Sequence, residues 1–292
     1  MNDSVTFIRH NFDNSVVMHE YCIENEYIAI HFAPEGHFDW EDYSAQAKET
    51  KGFKRAFETL KNLGRIGGLV VAQYDPRHFY VGQVNPGTEI RLYNFGHERG
   101  QQDNYYKLLK LAKRTVAHNY SDYLLLAALR PPFVAISRMS DYCRGMVLHL
   151  WDGSPLTREL HNLHPKMLEQ MCEEWLRTDY AGEYRIKYEL LKTGETLPVI
   201  DICAETWSGH RLFAQVTFAE GNKALSKARE LKQYCDESAS TVPTMALFMG
   251  PKKLRDSVTR LGLNYVSIDS IFDQFDATVL YGDMLDKMIG IK

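Results

Sequence analysis

Apolar and polar positions follow one rhythm in the first half of the chain and another in the second. The first half holds four short runs rich in β-branched and aromatic residues, Tyr27 to Ala33, Gly68 to Asp75, His78 to Val84 and Glu89 to Phe95, each bounded by Gly, Pro or Asp. Such runs read as strands. Asp75-Pro76-Arg77 and Pro86-Gly87 are turn sequences between the last three, so these strands predict an antiparallel meander curled into a small barrel or sheet. Two stretches of helical spacing flank them. Residues 39–64 put Ala47, Phe53, Phe57 and Leu60 on one apolar side with Gly64 as C-cap, and residues 104–117 turn Leu108, Leu109, Ala112 and Val116 inward.

The second half begins with an amphipathic helix, His164 to Arg177, in which Leu168, Met171, Cys172 and Trp175 recur at helical spacing and Pro165 stands where a helix start tolerates proline. Three strands are predicted next, Glu183 to Leu191, Leu197 to Glu205 and Arg211 to Phe218, with Gly194 and Trp207-Ser208-Gly209 at the turns. A helix over 222–238 leads to Thr244–Gly250, whose almost wholly apolar character suits a strand buried on both faces. The resulting order is α-β-β-β-α-β. A further strand around 263–269 and a terminal helix around 278–290 complete the chain.

Gly, Ser, Pro and polar residues from Trp151 to Pro165 interrupt the patterning, and a length of 292 residues suits two domains, which places a boundary near 155. With 45% hydrophobic, 12% aromatic and 25% charged residues, the chain has the composition of a globular protein and not of a disordered or collagen-like one. The formal net charge of −4 divides evenly, with 17 basic and 18 acidic residues in 1–155 and 17 and 20 thereafter, so any polyanion must be met by a local patch. Five cysteines stand singly without C-x-x-C spacing and read as buried thiols in a reducing compartment. The start of the chain lacks a basic, apolar leader, and no stretch approaches 18 uninterrupted apolar residues. The expectation is a cytoplasmic protein with no membrane association.

Particular side chains on the second element order carry a resemblance. Pro165-Lys-Met-Leu-Glu169 on the helix, Val199-Ile-Asp201 on the second strand and Ala214-Gln215-Val216-Thr217 on the third resemble the restriction-endonuclease-like, or PD-(D/E)xK, nucleases, especially their Mrr-like branch, over about residues 160–250. The resemblance implies Mg²⁺- or Mn²⁺-dependent hydrolysis of a phosphodiester, with Asp201 as central ligand, Gln215 and the Val216 carbonyl beside it, and Glu169 reaching in from the helix. Divalent cations of this kind take oxygen ligands, stabilise charge on phosphate oxygens and activate water. The family's lysine position holds Thr217, which has no ammonium, so Lys223 or Lys227 on the following helix is the candidate replacement.

Plainer readings accompany these. Glu169 also fits a solvated acidic helix face, Gln215 the solvent side of an alternating strand, and Thr217 a simple strand former. Asp201 is harder to explain that way, because a carboxylate within an apolar strand requires a partner. The first half resembles EVE or PUA-like barrels in Gly67 to Tyr74, Phe79 to Val84 and Ser121 to Phe133, which makes Trp40, Tyr43, Tyr74, Tyr80 and Tyr93 candidates for stacking on a base, or else core aromatics. By helical spacing Lys48, Lys51 and Arg55 share one face and Lys107, Lys110 and Arg114 another, either to meet phosphates or as solvated faces. His161 and His164 lack a third metal ligand, and Walker, dinucleotide-fingerprint, zinc-protease and serine-hydrolase motifs are absent.

The sequence therefore predicts an α/β (α+β) protein, with a β-rich, barrel-like recognition domain over 1–155 and an α-β-β-β-α-β restriction-endonuclease-like domain over 156–292. The resemblance implies a nucleic-acid partner, DNA ahead of RNA, in defence against foreign DNA. Alternatives are a catalytically degenerate nuclease fold that binds or assembles, as a homo-oligomer or with a partner subunit, and a first half that binds RNA or a small nucleotide.

Overall fold

The computed structural model describes residues 5–10, 16–31, 51–94, 105–130, 135–192, 199–237 and 243–291. They form an α+β protein of two compact units, 1–157 with 290–292 and 158–289.

The first unit runs β1 (Val5–Arg9), α1 (Val16–Glu24), β2 (Tyr27–Ile30), α2 (Lys51–Ile66), β3 (Gly68–Gln73), β4 (His78–Val84), β5 (Arg91–Asn94), β6 (Tyr105–Lys110), β7 (Lys113–Arg114), β8 (His118–Asn119), α3 (Leu124–Leu129), β9 (Ile136–Arg138) and α4 (Cys143–Asp152). Among the described residues the strands make two open sheets and no closed barrel. One has the order β7-β4-β3-β1-β9, with β8 also on β4, and the other is β2-β6-β5. Ile8, Val70 and Ala72 of the first, Ile28, Ile30 and Leu108 of the second, and Phe57, Leu60 and Leu63 of α2 share one core.

Three sequence expectations are corrected here. The hairpin β3–β4 forms, but β5 leaves the meander to pair with β6. The cause lies in the turn, where Gly87 N–H donates to the Arg65 carbonyl (3.2 Å) and Thr88 N–H to the Gly64 carbonyl (3.0 Å), docking the chain on α2 instead of reversing it. Residues 105–110 are a strand, not a helix, because their apolar run sits between β2 and β5, with Tyr106, Lys107, Leu108 and Leu109 all buried. Runs this short carry no decisive period. Finally, α2 continues through Gly64 to Ile66 and ends at Gly67, in the left-handed region (φ 70°). Gly64 is required for closeness: a Cβ there would lie 2.5 Å from the Thr88 carbonyl oxygen.

His10 is fully buried and satisfied. Its Nδ1 lies 2.9 Å from the Gln73 carbonyl, its Nε2 accepts from Ala29 N–H (3.0 Å), and its ring stacks on Tyr74 at 4.0 Å. Protonation would set a second N–H against that of Ala29, and burial holds the ring's pKa down to about 3.

The second unit runs α5 (Pro165–Arg177), β10 (Ile186–Lys192), β11 (Ile202–Thr206), β12 (Arg211–Val216), α6 (Gly221–Glu237), β13 (Thr244–Gly250), α7 (Arg255–Thr259), β14 (Asn264–Ser267), α8 (Ile268–Asp276) and α9 (Val279–Ile289). The predicted α-β-β-β-α-β order stands, and α7 and α8 lacked a sequence forecast. The sheet order is β10-β11-β12-β13-β14, antiparallel up to β12 and parallel beyond it. Helix α6 covers one face, packing Ala224, Ala228 and Leu231 with Phe213 and Phe248. Helix α5 buries Leu168, Met171, Cys172 and Trp175, and the Trp175 indole N–H donates to Gln274 Oε1 (2.7 Å) on α8. Arg158, at the start of the unit, clamps its end: Nε donates to Asp286 Oδ1 and Nη1 to Asp276 Oδ1, both at 2.7 Å, over Gly282.

Two predictions test this account. Gly64→Ala should lose about 1–3 kcal/mol in chemical denaturation, since backbone must move to admit the methyl; a neutral result would contradict the close approach. His10 is protonated below pH 6.5 only when unfolded, so its contribution is complete above that pH and falls by up to about 1.4 kcal/mol per unit on acidification toward its folded value. Urea midpoints between pH 7 and 5 should therefore fall more steeply for the wild type than for His10→Gln, and parallel slopes would refute the assignment.

Candidate active site

The open end of the β11–β12 hairpin is where the chemistry-bearing groups meet. Register pairs Ile202 with Ala214, and one residue earlier Asp201 N–H donates to the Ala214 carbonyl (2.9 Å). Asp201 thus occupies the bend just before the strand, where the sequence had put it within the strand. Its Oδ2 accepts Val216 N–H at 2.7 Å and a second hydrogen bond from the Gln215 side-chain Nε2. The same Nε2 lies 3.2 Å from the Val216 carbonyl oxygen, whereas Gln215 Oε1 is buried with no hydrogen-bond partner. Gln215 is 1% exposed, so it faces the interior and not the solvent side of its strand.

That orphaned oxygen bears on whether a cation fits. The two ends of a carboxamide have nearly the same shape, and turning the Gln215 amide over would aim Oε1 at the Asp201 carboxylate and the Val216 carbonyl. Three oxygens would then converge, a donor set suited to Mg²⁺ or Mn²⁺ and repulsive without one. Among the described residues no cluster of three His, Cys, Asp or Glu side chains suits a metal, so such a site has to draw on the amide and the backbone. The residues present fit a hard cation on these terms.

Electrostatics tie two helices to this point. Burial raises the Asp201 pKa, and the Val216 N–H and the Lys227 ammonium pull it partly back. Glu169 on α5 is raised too, first by burial and then by the Asp201 charge, with Lys166 and Lys227 opposing. Lys227 on α6 therefore lies within Coulombic reach of both carboxylates, while Lys223, one turn earlier, is exposed. Thr217 is buried and its Oγ1 accepts Ala219 N–H (3.0 Å), so the residue at the family's lysine position caps a turn. His164 Nδ1 accepts Lys166 N–H as N-cap of α5, and His161 pairs with Glu159. Cys172 is the buried thiol the sequence predicted, but its nearness to the site was missed: its pKa is raised by burial, then by Asp201 and Glu169.

The first unit's candidates do not assemble in the same way. Trp40, Tyr43, Lys48 and the Lys51 side chain lie outside the described residues, while Arg55 is exposed on α2. Tyr74 and Tyr93 are core aromatics: the Tyr74 hydroxyl donates to the Tyr27 carbonyl (2.6 Å), and Tyr93 stacks on Tyr21 at 4.6 Å. Tyr80 is half-buried beneath Arg114, 4.8 Å from the guanidinium. The helical face proposed for Lys107, Lys110 and Arg114 does not exist, since they belong to β6 and β7. Lys107 is buried, which brings its pKa down to about 8, and Lys110 Nζ donates to the Asn25 carbonyl (2.6 Å).

Comparison with known proteins adds little. No family model matches the chain, and no curated protein does. A solved structure, described as "Structure of EndoMS-dsDNA2 complex", aligns over 84% of this chain and 97% of its own at 11% identity, but its TM-score of 0.27 gives the likeness no weight in the argument. Among the described residues no helix is long and apolar enough to cross a membrane.

Because the folded state disfavours ionised Glu169, that group reduces stability as pH rises through the carboxylate range. Glu169→Gln should therefore unfold at higher urea than wild type at pH 7.5, with the gap narrowing toward pH 4. A variant less stable at pH 7.5 would count against the half-buried carboxylate pair.

Proposed function

We propose that the second unit hydrolyses phosphodiester bonds of nucleic acid, DNA by its sequence resemblance, with a divalent cation held by Asp201, Gln215 and the Val216 carbonyl. The observation that carries this reading is the buried Gln215 amide, whose Oε1 has no partner while its Nε2 bonds the half-buried Asp201 carboxylate. A buried polar atom left unmet costs stability, and a bound ion is one way of meeting it. When bound, Mg²⁺ or Mn²⁺ would supply charge stabilisation at the phosphate and an acidified water. Glu169 is the second carboxylate, and its raised pKa makes it hold a proton more readily than a solvated glutamate. Lys227, in reach of both carboxylates, takes the part of the lysine absent at Thr217, with Lys223 as the exposed alternative. The first unit would present DNA or a modified base, and restriction of foreign DNA is the setting the resemblance implies.

A second reading rests on its own observation. The Gln215 amide and Val216 N–H already satisfy Asp201 without a cation, and Thr217 is committed to a turn, as expected of a nuclease fold that has lost cleavage and binds or assembles instead.

Supercoiled plasmid incubated with Mg²⁺ or Mn²⁺ separates the two. Cleavage should require metal and fall about 10²–10³-fold in Asp201→Ala and in Lys227→Met, the usual cost of losing one preorganised charge. Full cleavage by Asp201→Ala would remove the assignment, and calorimetry showing no Asp201-dependent Mn²⁺ binding would favour the degenerate reading.

A further inference from the structure

The strands β12 and β13 run parallel, pairing Val216 with Met249, and Thr217 N–H donates to the Met249 carbonyl (3.0 Å), so both chains leave the sheet side by side at the end where Asp201 sits. The segment that follows β13 is Pro251-Lys252-Lys253-Leu254-Arg255. Its backbone is fixed from below. The Tyr265 hydroxyl donates to the Gly250 carbonyl (2.6 Å), Lys252 N–H donates to Asp269 Oδ2 (2.7 Å), and Leu254 is buried. Its three cations all face solvent. Lys253 forms an ion pair with Glu220 of the neighbouring loop, and the Arg255 guanidinium lies 5.8 Å above the Tyr265 ring. The Lys252 ammonium has no partner among the described residues. Lys223, exposed in the first turn of α6, which follows β12, adds a fourth cation. Against Glu220, Asp256 and Asp269, four cations leave a local positive excess of one in a chain of formal net charge −4.

We propose that this rigid loop, through Lys252, Lys253 and Arg255 with Lys223 beside it, grips backbone phosphates of duplex DNA and lays the strand across the carboxyl end of the sheet. The inference rests on the nucleic-acid reading given above and supplies the binding surface for it. Cations held at fixed spacing by a buried leucine and a pinned backbone lose little freedom on meeting phosphates, and each phosphate neutralised releases condensed counterions. Glu220 sets a modest opposing charge, and a phosphate would replace it as the partner of Lys253.

The test is fluorescence anisotropy of a labelled duplex with full-length protein in EDTA, so that cleavage plays no part. The triple variant Lys252→Gln/Lys253→Gln/Arg255→Gln should bind at least tenfold more weakly, and its plot of log affinity against log salt should be shallower by about two to three. Its unfolding transition should match wild type, since all three side chains are exposed. Lys287→Gln, which removes an exposed cation from α9, should leave binding unchanged. Equal affinity and slope in wild type and triple variant would overturn the proposal, even with Asp201-dependent cleavage in hand. Cleavage that survives Asp201→Ala, together with binding lost in the triple variant, would overturn the active-site assignment alone. Wild type that binds no duplex, or binds single-stranded RNA or DNA of the same sequence more tightly, would overturn the assignment to duplex DNA.

Discussion

One carboxylate oxygen closes the open end of a hairpin. Oδ2 of Asp201 takes hydrogen bonds from the Val216 backbone and the Gln215 amide, and through them it fixes where β11 begins and where β12 stops. Ile200 and Ile202 on either side are buried, so apolar neighbours flank the half-buried acid. Holding a charge there is unfavourable, and both Asp201 and Glu169 register that in a proton affinity above the ordinary. Folding tolerates such a pair only where something else is gained.

Two buried polar centres, one in each unit, illustrate how that gain is recognised. At His10 both ring nitrogens have partners and a tyrosine covers the ring. Nothing about it is unfinished, and it reads as architecture. At Gln215 the nitrogen is matched and the oxygen is not. Burial alone would rank these two centres alike; the unmet lone pairs separate them, and they sit where a helix lysine and a second acid also point their fields.

Much of the second unit was legible in the sequence, because its helices are long enough to show their period and its strands are punctuated by glycine and polar turns. That Asp201 and Gln215 lie together is what the family resemblance implied. The first unit was less transparent for physical reasons. Strand β6 carries Tyr-Tyr-Lys-Leu-Leu-Lys, a run whose spacing fits a helix equally well, and its inward Lys107 looked like a polar face. The fate of β5 depended on Thr88 finding the Gly64 carbonyl 24 positions away in the chain, which no local pattern encodes. The basic loop after β13 was overlooked because Lys-Lys-Leu-Arg is ordinary as a string and becomes informative only when the strand before it is placed next to Val216.

The arginine clamp at residue 158 carries a consequence of a different kind. By bonding Asp276 and Asp286, it brings the entry and exit of the second unit to a single point, although 128 positions separate Arg158 from Asp286 in the chain. A segment whose two ends meet can be lifted out, spliced into another host protein or re-ended by circular permutation with little disturbance to its interior. The unit thus has the geometry of a transplantable cassette, in which natural shuffling could exchange the partner domain while the sheet and its acidic hairpin pass on intact.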